Sequence, residues 1–255
     1  MIDSIRNIFS IPELRKRVIF TLLLLAVYRI GGQLPIPGLS AEALQEFWQS
    51  QQGSLFDFIN LFSGGNMARM TIFALGIMPY ISSSIILQLL TVVWPYLERL
   101  SKEGELGRKK ITQYTRYGTI LICLVQGIGI AFFLQNLTSP AGAPIVPNPG
   151  LGFMLLTVLT LTTGTVFVMW LGEQISERGI GNGISLIIFA GIVVDFPSGL
   201  LGLVNGLRTG DMDPLKLIFL GALMVAVVAF IVYVERGQRR IPVSYAKRVV
   251  GRKVY

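Results

Sequence analysis

Few residues in this chain are equipped for chemistry. Glu173 and Glu177 stand four apart, with Arg178 beside the second. On a helix that spacing puts both carboxylates on one face, where they could share a proton or a cation; the same residues equally suit the solvated end of a helix. Arg29 is an ionisable side chain inside, or at the end of, a long apolar run. Charges in such places mark substrate or ion paths, yet an arginine near a helix end also snorkels its head group to water. Cys123 is the single cysteine and there is no histidine. Internal disulfides, histidine acid–base work and histidine metal ligation are therefore excluded within the chain. No nucleophile–base pair or paired intramembrane carboxylate appears. No catalytic residue, metal site or cofactor is expected, and the chain does not read as an enzyme.

The patterned residues are aliphatic. Ile77 and Ile81 are four apart and share a helix face, as do Ile184 and Ile188. Around the first pair, Pro79 should bend its helix, Ser82 to Ser84 are small enough for close helix approach, and Gln88 should face a partner or water. Around the second, the run Arg178-Gly179-Ile180-Gly181-Asn182-Gly183 interrupts the helix. Two readings fit such pairs. They are ordinary packing or lipid contact, or they form a hydrophobic constriction that excludes water and ions by dewetting.

The elements that carry these residues are membrane helices. Of 255 residues, 52% are hydrophobic and 14% charged, against about 25% charged in soluble domains. The apolar residues are clustered, so the fold class is an all-α integral membrane protein, a polytopic helix bundle. Six apolar runs are near the roughly 20 residues a bilayer requires: 18–34, 71–94, 117–137, 152–172, 180–196 and 214–234. Arg15-Lys16-Arg17 precedes the first, but no small-residue cleavage site follows, so it reads as a retained span rather than a signal peptide. Of the 22 Lys and Arg residues, 18 fall before run one, between runs two and three or four and five, or after run six; Arg69, Arg208 and Lys216 fall on the other side. That asymmetry predicts both termini in the cytoplasm.

Three connections stand out. Leu55 to Phe62 is amphipathic, too short and polar to span, and is broken by Ser63-Gly64-Gly65-Asn66. It fits a short re-entrant helix buried in protein or a helix on the outer leaflet. Asn136 to Gly150 carries no charge and four prolines, an irregular connection. Glu235 to Arg248 is basic, with an alternation at Val243 to Ala246 that suits a hairpin strand. It fits an anchor at anionic lipid or a docking surface for an anionic partner.

Several of these segments together resemble the SecY family in its bacterial form. They are Tyr28-Arg29-Ile30-Gly31 with Pro35-Ile36-Pro37-Gly38, Phe62-Ser63-Gly64-Gly65 through Phe73 to Ile81, Gln113 to Gly118, Glu177 to Gly183, and Arg239 to Val243 with Lys247-Arg248. The resemblance runs over essentially the whole chain, in order. It implies a protein-conducting channel subunit of the bacterial cytoplasmic membrane, multi-pass with a cytoplasmic N-terminus, that translocates unfolded secretory proteins and releases membrane segments sideways into lipid. It implies a pore ring at Ile77, Ile81, Ile184 and Ile188. It also implies a plug at Asp57, Phe58, Ile59, Asn60, Leu61, Phe62, Ser63, Gly64, Gly65, Asn66 and Met67. Gln88 matches a lateral-gate position, and Arg240, Arg252 and Lys253 match positions that dock SecA and the ribosome. The implied partners are SecE, SecG, SecA, the ribosome, signal sequences and nascent polypeptides, the lipid bilayer, and four further spans of the same subunit. Residues 1–197 would be the first half of the channel and 198–255 the start of the second, so the chain is expected to be part of a longer protein. The alternative is a secondary transporter of a small solute, which broken helices also suit. That class needs coordinating groups near midplane, and spans two to six offer almost none.

Overall fold

A computed structural model describes residues 11–51, 60, 63–210, 213–238, 249–250 and 253–254. Eight helices are described: α1 (Pro12–Gly31), α2 (Ala41–Ser50), α3 (Met78–Val93), α4 (Pro95–Lys102), α5 (Glu105–Gln135), α6 (Leu151–Arg178), α7 (Gly183–Thr209) and α8 (Pro214–Glu235). Among the described residues, α5 to α8 are long and apolar enough to cross a membrane. A fifth span exists if α3 and α4, bent by 100° across Trp94, are taken together. A helix also forms over the first apolar run, but α1 carries Arg15, Lys16, Arg17 and Arg29, which shorten its apolar stretch. The chain divides into two compact units, Met1–Pro197 and Ser198–Tyr255.

In the first unit α5 packs on α6 and on α3, and α1 packs on α6. Small residues make these approaches possible. Ser83 of α3 is buried and donates to the Thr115 carbonyl of α5 at 2.8 Å, and Gly118 leaves the room its side chain needs. Two apolar clusters result. One gathers Ile36, Leu44, Met70, Ala74, Leu134, Ile145, Phe153 and Leu161. The other gathers Tyr28, Phe73, Ile77, Val168, Met169, Leu171, Ile175 and Ile187. The connection 136–150 contributes Ile145 and Val146 to the first cluster and is tied by a bridge between Thr138 and Pro144.

Several boundaries differ from the sequence reading. The second apolar run is not helical from residue 71: residues 71–77 form turns and α3 starts at Met78. Pro79 therefore does not bend a helix but occupies its first turn, where its missing N–H costs nothing. The sharp bend comes later, at Trp94-Pro95. The third and fourth helices start or end beyond their apolar runs, because charged turns extend them past the hydrocarbon-like core. The fifth run was expected to stop at Phe196. Instead α7 continues through Pro197 to Thr209, since proline is tolerated inside a membrane helix when neighbouring groups satisfy the freed carbonyl. α2 was not anticipated; its start is marked by Ser40, whose hydroxyl accepts from the Ala43 amide at 3.4 Å.

In the second unit, α8 is apolar all round and buries none of its residues, the pattern of a helix that meets lipid or partner helices. Two two-residue strands pair antiparallel, Val249 with Val254 and Val250 with Lys253. The strand expected near Val243 to Ala246 lies outside the described residues.

The segment 71–77 is held against α6 at Gly164, where a β-carbon would collide with the Ile72 carbonyl. Gly164→Ala should lower the stability of the protein by about 1–3 kcal/mol. Gly129→Ala, whose β-carbon meets nothing within 4 Å, should be neutral or slightly stabilising. Thermal unfolding in detergent checks the pair.

Candidate functional site

The aliphatic pairs are positioned by two short segments. The first leads into α3. Phe73 is fully buried and lies in a slot whose walls are Gly31 and Gly164. Its ring stacks on Tyr28 of α1 at 5.7 Å and on Phe167 of α6 at 6.0 Å, and Phe167 stacks on Trp170 at 5.8 Å. This aromatic column fixes the lead-in between α1 and α6. Gly76, at φ 56°, then turns the chain so that Ile77 becomes the N-terminal boundary residue of α3. Its carbonyl accepts from the amides of Tyr80 at 3.1 Å and Ile81 at 3.2 Å.

The second segment joins α6 to α7. Thr21 of α1 accepts from the Ile180 amide at 3.1 Å, and Gly179 lets the chain pass that close. Gly181 adopts φ 68°. Asn182 then caps α7, its Oδ1 accepting from the Ile184 amide at 3.0 Å and the Ser185 amide at 3.3 Å. The Gly183 amide donates to Ser176 Oγ at 2.8 Å, and Gly183 lies against the Gly172 carbonyl, where any side chain would collide. Gly179, Ile180, Asn182 and Gly183 thus each help start α7 at a fixed place on α6.

The two segments bring the isoleucines together. Ile77 is 5% exposed and belongs to the second apolar cluster; Ile81, Ile184 and Ile188 are half-buried and pack against the same cluster. Such side chains offer water no hydrogen bonds, so a narrow passage between them would stay dry.

Of the expected plug, Asn60, Ser63, Gly64, Gly65, Asn66 and Met67 are described; Asp57, Phe58, Ile59, Leu61 and Phe62 lie outside the described residues. Ser63 to Asn66 forms a turn. Asn66 is buried and donates to Tyr28 Oη at 3.2 Å and to the Ser63 carbonyl at 2.7 Å. Asn60 Oδ1 accepts from the Ala68 amide at 2.8 Å. Arg29 does have a protein partner: it donates to the Gly64 carbonyl at 3.2 Å.

Gln88 is exposed, and its amide donates to Ser84 Oγ at 3.5 Å. Arg240 and Arg252 lie outside the described residues, and only the backbone of Lys253 is described. Glu173 is not merely a solvated helix end. Arg116 of α5 donates to both its oxygens, at 2.9 and 2.8 Å, a two-pronged pair that ties α5 to α6. The residues are 57 apart, and no spacing rule could have linked them. Glu177 and Arg178 remain exposed. Among the described residues no group of three acidic or cysteine side chains could hold a metal.

The sequence model of the SecY family matches residues 71–255. The chain belongs to the SecY family. Protein translocase subunit SecY of Aquifex aeolicus (strain VF5) is 50% identical over 256 residues, covering 100% of this chain and 60% of that protein. The subunit from Escherichia coli (strain K12) is 54% identical, covering 96% of this chain and 55% of that protein. The chain therefore spans little more than half the length of these SecY relatives. Solved structures share the fold. A protein conducting channel is 21% identical with TM-score 0.56, covering 84% of this chain and 47% of that one. Sec61 in a canine ribosome–channel complex is 23% identical with TM-score 0.55, covering 90% and 50%.

Because Asn182 starts the helix that carries Ile184 and Ile188, Asn182→Ala should destabilise a SecY protein carrying this sequence by about 1 kcal/mol, and Asn182→Asp should keep most of the cap. Thermal unfolding midpoints distinguish the two.

Proposed function

We propose that this chain provides the first half, residues 1–197, and the start of the second half, residues 198–255, of a channel through which unfolded polypeptide crosses the bacterial cytoplasmic membrane. The observation that carries the reading is the convergence of Ile77, Ile81, Ile184 and Ile188 on one apolar cluster, in a chain of the SecY family. An aliphatic collar blocks ions at rest and binds no particular side chain tightly, which suits a pore that passes many sequences. Residues 57–67 seal the outer side as a plug, and Gln88 lies along the lateral exit for signal sequences and membrane segments. Arg240, Arg252 and Lys253 dock SecA or the ribosome, whose work supplies the energy; the channel itself catalyses nothing. SecE and SecG complete the assembly with the remaining spans. The relatives named above are protein translocase subunits, which favours this reading over a small-solute transporter.

Crosslinking tests it directly. In a complete channel, a stalled nascent chain should crosslink to cysteines at Ile77 and Ile184 and not to one at Leu159 on the exposed face of α6. Equal crosslinking at all three would refute the collar. The double variant Ile77→Asn, Ile184→Asn in a background lacking residues 57–67 should conduct more ions in planar bilayers than the plug deletion alone.

Orientation follows from the basic residues. A cysteine at the exposed Ala141 should react with an impermeant thiol reagent from outside, and one at the exposed Ser101 only from inside. Ala141 is the better probe of its loop because neighbouring Ser139 is buried. The reverse labelling would invert the topology.

A further inference from the structure

Ile81 on α3 and Ile184 on α7 are joined by a short route of polar and close backbone contacts that crosses α5 and α6. Ser83, two residues after Ile81, is buried and donates to the Thr115 carbonyl of α5 at 2.8 Å. The next residue, Arg116, donates from Nε and Nη2 to the two carboxylate oxygens of Glu173 on α6, at 2.9 and 2.8 Å. Immediately before Glu173 stands Gly172, whose carbonyl lies against Gly183 at the start of α7. A β-carbon on Gly172 would also come within 3.1 Å of Ile184 Cγ1. Each helix thus passes its position to the next at, or one residue from, the ion pair or Ile184, and within two residues of Ile81.

The α5–α6 interface itself resists sliding poorly. Cys123, Gly127 and Ala131 recur at four-residue spacing on one buried face of α5. A β-carbon on Gly127 would meet Val158 Cα of α6 at 3.4 Å, so the two surfaces are close and nearly flat there. Contacts between small side chains are individually weak, and a flat surface selects no single register. A planar guanidinium bound through two parallel bonds to a carboxylate accepts one height and one rotation. We propose that the Arg116–Glu173 pair is a register clasp. It fixes the height of α5 on α6, and with it the height of Ile77 and Ile81 relative to Ile184 and Ile188. Arg116 and Glu173 are then positioning residues for the isoleucine collar, and the inference rests on the collar reading above. The pair is partly exposed, so it acts on which register is populated more than on total stability.

Cysteine crosslinking in a full-length SecY protein carrying this sequence, reconstituted in liposomes, reads the register. The background carries Cys123→Ala and no other cysteine. Ile81→Cys is combined with Ile184→Cys in one protein and with Ile188→Cys in another, and a short bismaleimide is added. The ratio of the two yields reports the height of α3 against α7. Glu173→Gln keeps the side-chain shape and removes the charged acceptor. It should change the ratio about threefold, the population shift expected from losing a partly exposed two-pronged pair, and leave the thermal unfolding midpoint at the parent value. Arg116→Lys keeps the charge and loses the fork; it should change the ratio in the same direction, and it serves where Glu173→Gln fails to assemble. Glu177→Gln removes the same charge one turn further along α6, within electrostatic reach of Arg116, and should leave the ratio unchanged. An unchanged ratio in Glu173→Gln and Arg116→Lys overturns the clasp. A change in Glu173→Gln that Arg116→Lys does not share, or that Glu177→Gln reproduces, overturns it too, because charge alone would then hold the helices. A change accompanied by a lower unfolding midpoint marks general loosening and has the same consequence. Crosslinking of a stalled nascent chain to Ile77→Cys and Ile184→Cys is measured alongside. If the chain crosslinks there and the ratio does not move, the collar stands and the clasp is wrong. If the ratio moves and the chain does not crosslink there, the collar reading falls and the pair positions no passage.

Discussion

A non-helical backbone among membrane helices must find all its hydrogen bonds within the protein, because hydrocarbon offers none. Residues 63–77 find many of their backbone partners within the protein, and much of the first unit is arranged around how they do so. The Ile72 amide reaches back to the Leu34 carbonyl at 2.9 Å, and the Ile36 amide takes the Met70 carbonyl at 2.9 Å. The Ala74 and Thr71 amides are satisfied within the segment at 2.9 and 3.0 Å, and the Phe73 amide donates to Thr71 Oγ1 at 3.3 Å. Met70 accepts a left-handed φ of 42° to close this turn. Once these bonds are made, the segment can be buried with those polar groups already paired, and Phe73 and Ile77 can be placed against the same apolar cluster.

Burying irregular backbone requires flat neighbours. Gly31, Gly164 and Gly191 are each on a helix and each face this segment or the turn before it. Glycine costs a helix roughly 1 kcal/mol relative to alanine, so three of them facing one segment indicate that close approach outweighs helix propensity here. The same logic runs through the α6–α7 junction, where Gly172 and Gly183 bring two helices to backbone contact. In a membrane this is how helices gain packing energy, since lipid is as apolar as leucine and apolar burial alone does not drive them together.

Membrane helices were legible from the apolar runs, and the family from blocks such as Phe73 to Ile81. Helix boundaries were not. Ile72-Phe73-Ala74-Leu75-Gly76-Ile77 is as apolar as any helix, and apolar composition reports burial rather than backbone conformation. Pro79 reads as a kink from sequence, whereas with Gly76 three residues before it, it marks a start. Arg29 showed its charge but not its partner, because that partner is a backbone carbonyl 35 residues away. Glu173 likewise looked solvated because Arg116 lies on another helix. The α6–α7 turn was noticed as glycine-rich, yet the cap by Asn182 depends on which side of the turn the helix begins, and spacing alone leaves that open.

The two kinds of contact in the first unit have different consequences for motion. Apolar packing around Ile77 and Ile187 is insensitive to small rotations, so it tolerates small helix shifts without losing much energy. The directional contacts lie at its borders: Arg29 and Asn66 toward one end, and Ser176, Asn182 and Thr21 at the α6–α7 junction. Arg116 with Glu173 adds a third fixed point between α5 and α6. That pair is partly exposed, with Arg116 at 46% and Glu173 at 14%, so solvent weakens it and it holds register more than it adds stability. The position of an apolar cluster has to be set by specific bonds placed next to it, and the first unit separates the two roles in this way.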